Sequence, residues 1–243
     1  MQRSQSLRLN KIQGGALLSS NRMSMQAQSR FLPLFPLQVV VFPGEPLHLH
    51  IFEPRYRQLI RRAADEGITF GIFTSNKGVV QPLGTEVKLL EVVKTYPDDR
   101  MDIRLEGLEI IRLLEFFPTA EGYLYPAGIV SSVPSLVPDL ETPAPEAIEQ
   151  KLRNLIEELI LTAGIAKNFL PSDQGNLSYK VAHYLGLSIE EEYRMLEMPS
   201  EHTRQVFLIE ALKQVIPNLQ RRTEVRKRVT LNGHFRELQP PTF

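Results

Sequence analysis

Residues 31–56 read FLPLFPLQVVVFPGEPLHLHIFEPRY, and this stretch decides how the rest of the chain is read. Pro33 and Pro36 interrupt the apolar positions Leu32, Leu34 and Leu37. Proline offers no N–H to a ladder, so the spacing predicts an edge or first strand with a kink. Pro43-Gly44 is a turn dipeptide. Beyond it, Leu47-His48-Leu49-His50-Ile51 alternates strictly, which turns the apolar residues to one face of a strand and both histidines to the other. A helix is predicted over 53–66. Pro54 suits its first turn, where the missing N–H is no loss. Tyr56, Leu59, Ile60 and Ala63 form its apolar stripe, and Gly67 is its stop.

Strand patterns follow at 68–73, at 87–93 behind Gly84-Thr85, at 102–105, at 110–116 and at 123–130. Pro97-Asp98-Asp99-Arg100 has the composition of a hairpin turn, and Gly107 marks a bend or bulge. Short, mostly antiparallel strands with one early helix predict a small, partly open barrel. The segment 131–145, SSVPSLVPDLETPAP, carries Pro134, Pro138, Pro143 and Pro145 and reads as a linker. Past it the period becomes helical. One helix is predicted over 146–163, ending at Gly164, and a short one over 177–185, ending at Gly186. Ser188 with Glu191 forms a capping box for a helix over 189–197. Ser200 caps a last helix from Glu201 to about Val215, which Pro217 should kink or end. The fold class is therefore α+β: a β-rich unit over 31–130 with one early helix, then an α-helical bundle over 146–231. Residues 1–30 and 232–243 are expected to be tails.

Composition bounds the function. With 243 residues, 42% of them apolar, the chain can bury a core without covalent staples. It has no cysteine, so it has no disulfide, no thiolate nucleophile and no thiolate metal site. No apolar run is long enough for a transmembrane helix. The 28 basic and 28 acidic residues are unevenly placed. Residues 1–30 carry Arg3, Arg8, Lys11, Arg22 and Arg30 and no acid, and Arg221, Arg222, Arg226, Lys227 and Arg228 surround a single Glu224. The body between is net acidic, which argues against a broad nucleic-acid surface. The N-terminal stretch is open to three readings: a transit peptide, a mis-assigned start before Met23 or Met25, or a disordered tail. It has no secretory h-region, and with neither cysteine nor membrane span the expected location is cytoplasmic.

No P-loop, nucleophile elbow, H-E-x-x-H or G-x-G-x-x-G occurs. His48 and His50 share a strand face and could give two ligands to a metal, but no third is apparent, and a half-solvated face is the plainer reading. Asp98-Asp99 is turn chemistry, and Glu190-Glu191-Glu192 complements a helix dipole. The basic run 221–228 reads first as a solvated helix end. The chain offers no catalytic set and no cofactor site, so it is expected not to be an enzyme.

The elements LPLFPL at 32–37, VFPG at 41–44 and LHLHIFEPRY at 47–56 resemble, in order and spacing, the opening of the Lon protease N-terminal (substrate-binding) domain, in its stand-alone bacterial form. Gly84-Thr85 and Gly107 resemble the middle of that family, and the likeness extends over roughly 31–216. The resemblance implies a PUA-like β pseudo-barrel followed by a helical bundle. It also implies recognition of unfolded or partner polypeptide, as an adaptor or accessory to proteolysis, with an ATP-dependent protease in trans as a partner. The family's ATPase and Ser–Lys protease modules are absent from this sequence. Phe42, Phe52, Arg55 and Tyr56 are the candidate polypeptide contacts if the opening motif lines the groove. Packing is the plainer role for Phe52 and Tyr56, and pairing with Glu53 or a neighbouring carboxylate is the plainer role for Arg55. The alternative is an RNA-binding PUA-like protein, which rests on fold analogy and the basic run.

Overall fold

A computed structural model describes residues 29–76, 78–119, 122–133, 145–165, 170–171 and 176–233, with side chains through 225. The expected tails, apart from Ser29, Arg30 and residues 232–233, and most of the proline-rich linker lie outside the described residues. The order is β1 (Ser29–Leu37), β2 (Pro46–Ile51), α1 (Pro54–Glu66), β3 (Phe70–Asn76), β4 (Val79–Thr95), β5 (Met101–Phe117), β6 (Ala127–Ser132), α2 (Glu146–Ala163), α3 (Leu177–Val181), α4 (Ile189–Glu197) and α5 (Glu201–Gly233). This is a mixed α+β fold with a six-stranded sheet. No described helix is long and apolar enough to cross a membrane.

The sheet runs β2-β5-β4-β3-β1-β6, and β6 also pairs with β5, so five strands close into a ring. β1 explains its own prolines. Ser29–Pro33 pairs with β6 in antiparallel fashion, and Leu34–Leu37 pairs with β3 in parallel. The strand changes partner between Pro33 and Leu34. Each half is bonded along one edge, which leaves room for residues without an N–H. β5 is one strand of 17 residues, where the sequence suggested two flanking a bend at Gly107. Its first half pairs with β2 and β4, and its second with β4 and β6. The irregularity at Gly107 survives as a bulge. Between Thr85 and Val87 of β4, β5 advances from Ile110 to Gly107.

The helices start and stop where local chemistry directs. Gly67 and Gly164 sit in the left-handed region, at φ 67 in both cases, and end α1 and α2. The capping box of α4 is complete: Glu191 donates its N–H to the Ser188 side chain, and the Ser188 N–H donates to the Glu191 carboxylate. Pro217 does not end α5, which runs past the predicted limit near Val215 as one 33-residue helix. Pro217 removes the bond to the Lys213 carbonyl. Ile216 before it is buried and Leu219 after it packs on the same core, so contacts on both sides hold the helix together.

Two main cores meet at residues 40–42. Tyr56, Leu59, Ile60 and Ala63 of α1 pack with Phe70, Val87, Ile103 and Leu105 under the sheet. Leu152, Ile156, Leu208, Leu212 and their neighbours fill the second core among the helices. Val41 belongs to the first, whereas Val40 and Phe42 belong to the second. Consecutive side chains of the segment thus enter different cores, and one stretch of chain feeds both. Thr74 Oγ1 donates to the Val39 carbonyl at 2.9 Å, and Thr85 Oγ1 donates to the Val41 carbonyl. Gly107 exchanges backbone bonds with the following turn, at 2.9 Å both to Gly44 and to Glu45.

A Cβ on Gly107 would lie 2.2 Å from the Phe42 carbonyl oxygen. Gly107→Ala should therefore destabilise the fold by about 1–3 kcal/mol, in the range of overpacked sites. Urea denaturation reads this directly, and an unchanged midpoint would show that the turn yields without cost.

Candidate functional site

The corner between β2 and α1 carries three of the sequence-derived candidates. Glu53 is the N-cap residue of α1, but its side chain makes no cap bond. Its carboxylate accepts instead from Arg55, at 2.9 Å from Nε and 2.7 Å from Nη2. The Arg55 guanidinium lies over the Tyr56 ring, 4.5 Å from its centroid. Tyr56 is 4% exposed and stacks on Phe35 at 3.9 Å. Burial pushes its hydroxyl pKa up. Phe52 is different: it is 62% exposed, where packing was the plainer expectation. Phe42 lies elsewhere, fully buried in the helical core and stacked on Tyr179 at 4.8 Å. The structure thus brings Phe52, Arg55 and Tyr56 to one corner, with Tyr56 beneath the surface, and sets Phe42 in the other core.

From this corner a polar outer face spreads over β2, β5 and β4. His50 opposes Asp102 in the register, and its Nδ1 lies 2.6 Å from Asp102 Oδ1. The Tyr96 hydroxyl donates to Asp102 Oδ2 at 2.7 Å. These two bonds hold the Asp102 carboxyl below the usual aspartate range. The Phe52 ring stacks on His50 at 6.5 Å, and His50 meets Tyr96 edge-on at 5.6 Å. Lys94 and Arg100 both approach the Tyr96 ring, at 4.3 and 5.4 Å. His50 is thus engaged with a carboxylate. Among the described residues no three His, Cys, Asp or Glu groups are poised to hold a metal. The hairpin tip is clamped onto α1. Arg57 donates to the Asp98 carbonyl at 2.8 Å, and Arg61 pairs with Asp99 at 2.9 Å.

A second cluster joins the strands to the helices. Glu45 follows the Pro43-Gly44 turn, and its Oε2 accepts from the Phe42 N–H at 2.9 Å. Its Oε1 lies 3.0 Å from His183 Nε2. His183 Nδ1 lies 2.7 Å from Glu192 Oε1, and its ring packs against Phe42 at 5.1 Å. The hydrogen bonds to Glu192 and Glu45 raise the His183 pKa to about 10 against the opposing effect of burial, so the imidazole is charged at neutral pH. Sequence reading placed Glu192 among acids that complement a helix dipole. Its partner His183 lies nine residues earlier, across the Gly186 stop, and the third member of the bridge, Glu45, is far away in sequence, so no local pattern announces the bridge. Of the basic run 221–228, Arg221 and Arg222 are exposed, and the side chains from 226 onward lie outside the described residues.

The fold and the corner together define a mixed α+β protein built on a six-stranded sheet. A family model described as the ATP-dependent protease La (LON) substrate-binding domain matches residues 31–214, and the chain belongs to this family. Among solved structures it is similar to the Lon N-terminal domain protein from Xanthomonas campestris. The identity is 26% and the TM-score 0.57, over 74% of this chain and 98% of that one. It is also similar to the N-terminal domain of Mycobacterium avium complex Lon protease, at 16% identity and TM-score 0.56, over 76% of this chain and 98% of that one. At the lower identity the likeness speaks for the fold alone.

His183 generates a pH prediction. Its folded pKa, about 10, lies above the ordinary histidine value of 6.5, so its contribution is full below pH 6.5 and is lost as pH rises through 10. The urea midpoint of the wild type should fall across that window by more than that of His183→Gln. Parallel curves for the two proteins would show that the charged bridge adds nothing to stability.

Proposed function

We propose that this chain is a non-catalytic module that recognises polypeptide, holding unfolded or partner segments as an adaptor or accessory to proteolysis, with an ATP-dependent protease in trans as a partner. The observation that carries the reading is membership of a family described by substrate binding. The described surface supports it. An aromatic ring left 62% exposed at Phe52 sits on a scaffold fixed by the bonds of His50, Tyr96 and Asp102. Such a ring offers apolar contact area at small ordering cost. In this reading the closed strand ring is the PUA-like pseudo-barrel over 31–130, and the helices over 146–231 form the bundle. Phe52 and Arg55 touch the bound segment. Tyr56 holds Arg55 from below, and Phe42 fixes the strand unit against the helices.

Binding of a reduced, carboxymethylated model protein tests this reading. Phe52→Ala and Arg55→Ala should each weaken binding by about tenfold, the equivalent of ~1.4 kcal/mol. Their thermal midpoints should stay close to wild type, since exposed side chains and exposed ion pairs add little to stability. A wild-type protein that ignores every unfolded substrate offered would sink the reading.

A further inference from the structure

β4 outlives its partner. Its last register partner on β3 is Phe70, opposite Val87, and among the described residues it pairs with β5 alone from Lys88 to Thr95. Among the described residues no strand covers the other side of this stretch. It is exposed throughout apart from the half-buried Leu89. The ladder slips twice here. From Leu89 to Glu91 and from Val92 to Lys94, β4 advances two residues while β5 advances one, so Leu90 and Val93 are the extra residues of two bulges.

The charged side chains of this edge are already matched within the sheet. Lys88 pairs with Glu106 at 2.6 Å, Glu91 with Arg104 at 3.2 Å, and Lys94 lies on the Tyr96 ring. Among the described residues no strand pairs with the other edge of this stretch, and Leu90, Val92 and Val93 are exposed there, the last of them 56%. Main-chain groups along such an edge are matched by another extended main chain, and aliphatic side chains are matched by aliphatic side chains. A strongly charged ligand finds no free partner along it.

We infer that the free edge of β4, Lys88–Thr95, is where this protein takes a short, extended, aliphatic segment of a non-native polypeptide as an added strand. The inference rests on the polypeptide-recognition reading and adds to the contact at Phe52 and Arg55 a second place with its own mode. The two bulges set the limits of the mode. Each interrupts the regular pleat, so the edge accepts short registers and resists continuous pairing with a second copy of itself. Leu90 and Val93 supply the side-chain contacts between which the segment's own residues fit.

The test uses the full chain and a fluorescein-labelled nonapeptide rich in Val and Leu. The parent peptide is compared with two versions N-methylated at alternate amides, one in each phase, and with the protein variant Leu90→Lys/Val93→Lys. Strand addition predicts that one phase of N-methylation abolishes binding and that the double variant weakens it by about tenfold at unchanged thermal midpoint. Parent-like binding of both methylated peptides would overturn the mode, and wild-type affinity of the double variant would overturn the place. The unfolded model protein separates the levels. If it binds wild type and double variant alike, the edge assignment fails and the recognition reading stands. If neither it nor the peptide binds wild type, both fail.

Discussion

Three residues, Val40, Val41 and Phe42, tie this molecule together. Val40 and Phe42 enter one core and Val41 enters the other, so successive side chains serve two different cores. The constraint is tightened at the carbonyls, which accept from Thr74 and Thr85, and at Gly107, whose missing side chain makes room for the Phe42 carbonyl. Glu45 then closes the turn onto the Phe42 N–H and reaches His183. The position of the helices against the strands follows from how this short segment is pinned.

The charged part of that junction has a distinct character from the salt bridges on the outer face. Lys88–Glu106 and Arg104–Glu91 are exposed pairs, and such pairs add little net stability. His183 sits between two carboxylates on the ring of Phe42, where less water reaches it and the charges on both sides favour the imidazolium. A hydrophobic contact and a charge-assisted bridge thus act at the same place. The aromatic stack supplies buried area, and the bridge fixes the orientation of His183 between Glu45 and α4.

The surface around Phe52 is a consequence of strand lengths. β4 and β5 each run 17 residues, longer than their ring partners, so their hairpin projects past β3, and among the described strands β2 alone lies beside it. In the projecting part, the β5 residues Met101, Ile103 and Leu105 pack against α1, and the outer face carries paired charges and aromatic rings. Its rim on the β4 side is unpaired and bulged. Recognition surfaces are often drawn from parts of a fold that are rigidly held yet left without a partner. Arg57 and Arg61, which clamp the hairpin tip to α1, supply the rigidity.

What the sequence determined by itself was local. The alternation at 47–51 set β2, the stripe Tyr56, Leu59, Ile60, Ala63 set the buried face of α1, and Gly67, Gly164 and the Ser188–Glu191 box set helix ends. Each of these signals lies within a few residues of what it controls, so a reader of one chain can find it. Only the tertiary structure decided the continuity of β5 through Gly107, the passage of α5 through Pro217, the exposure of Phe52, and the Glu45–His183–Glu192 bridge. In each case the deciding contact joins residues that lie far apart in the chain, or depends on packing from both sides. A local propensity is a preference of tenths of a kcal/mol to about 3 kcal/mol, and burial against a distant partner can exceed it.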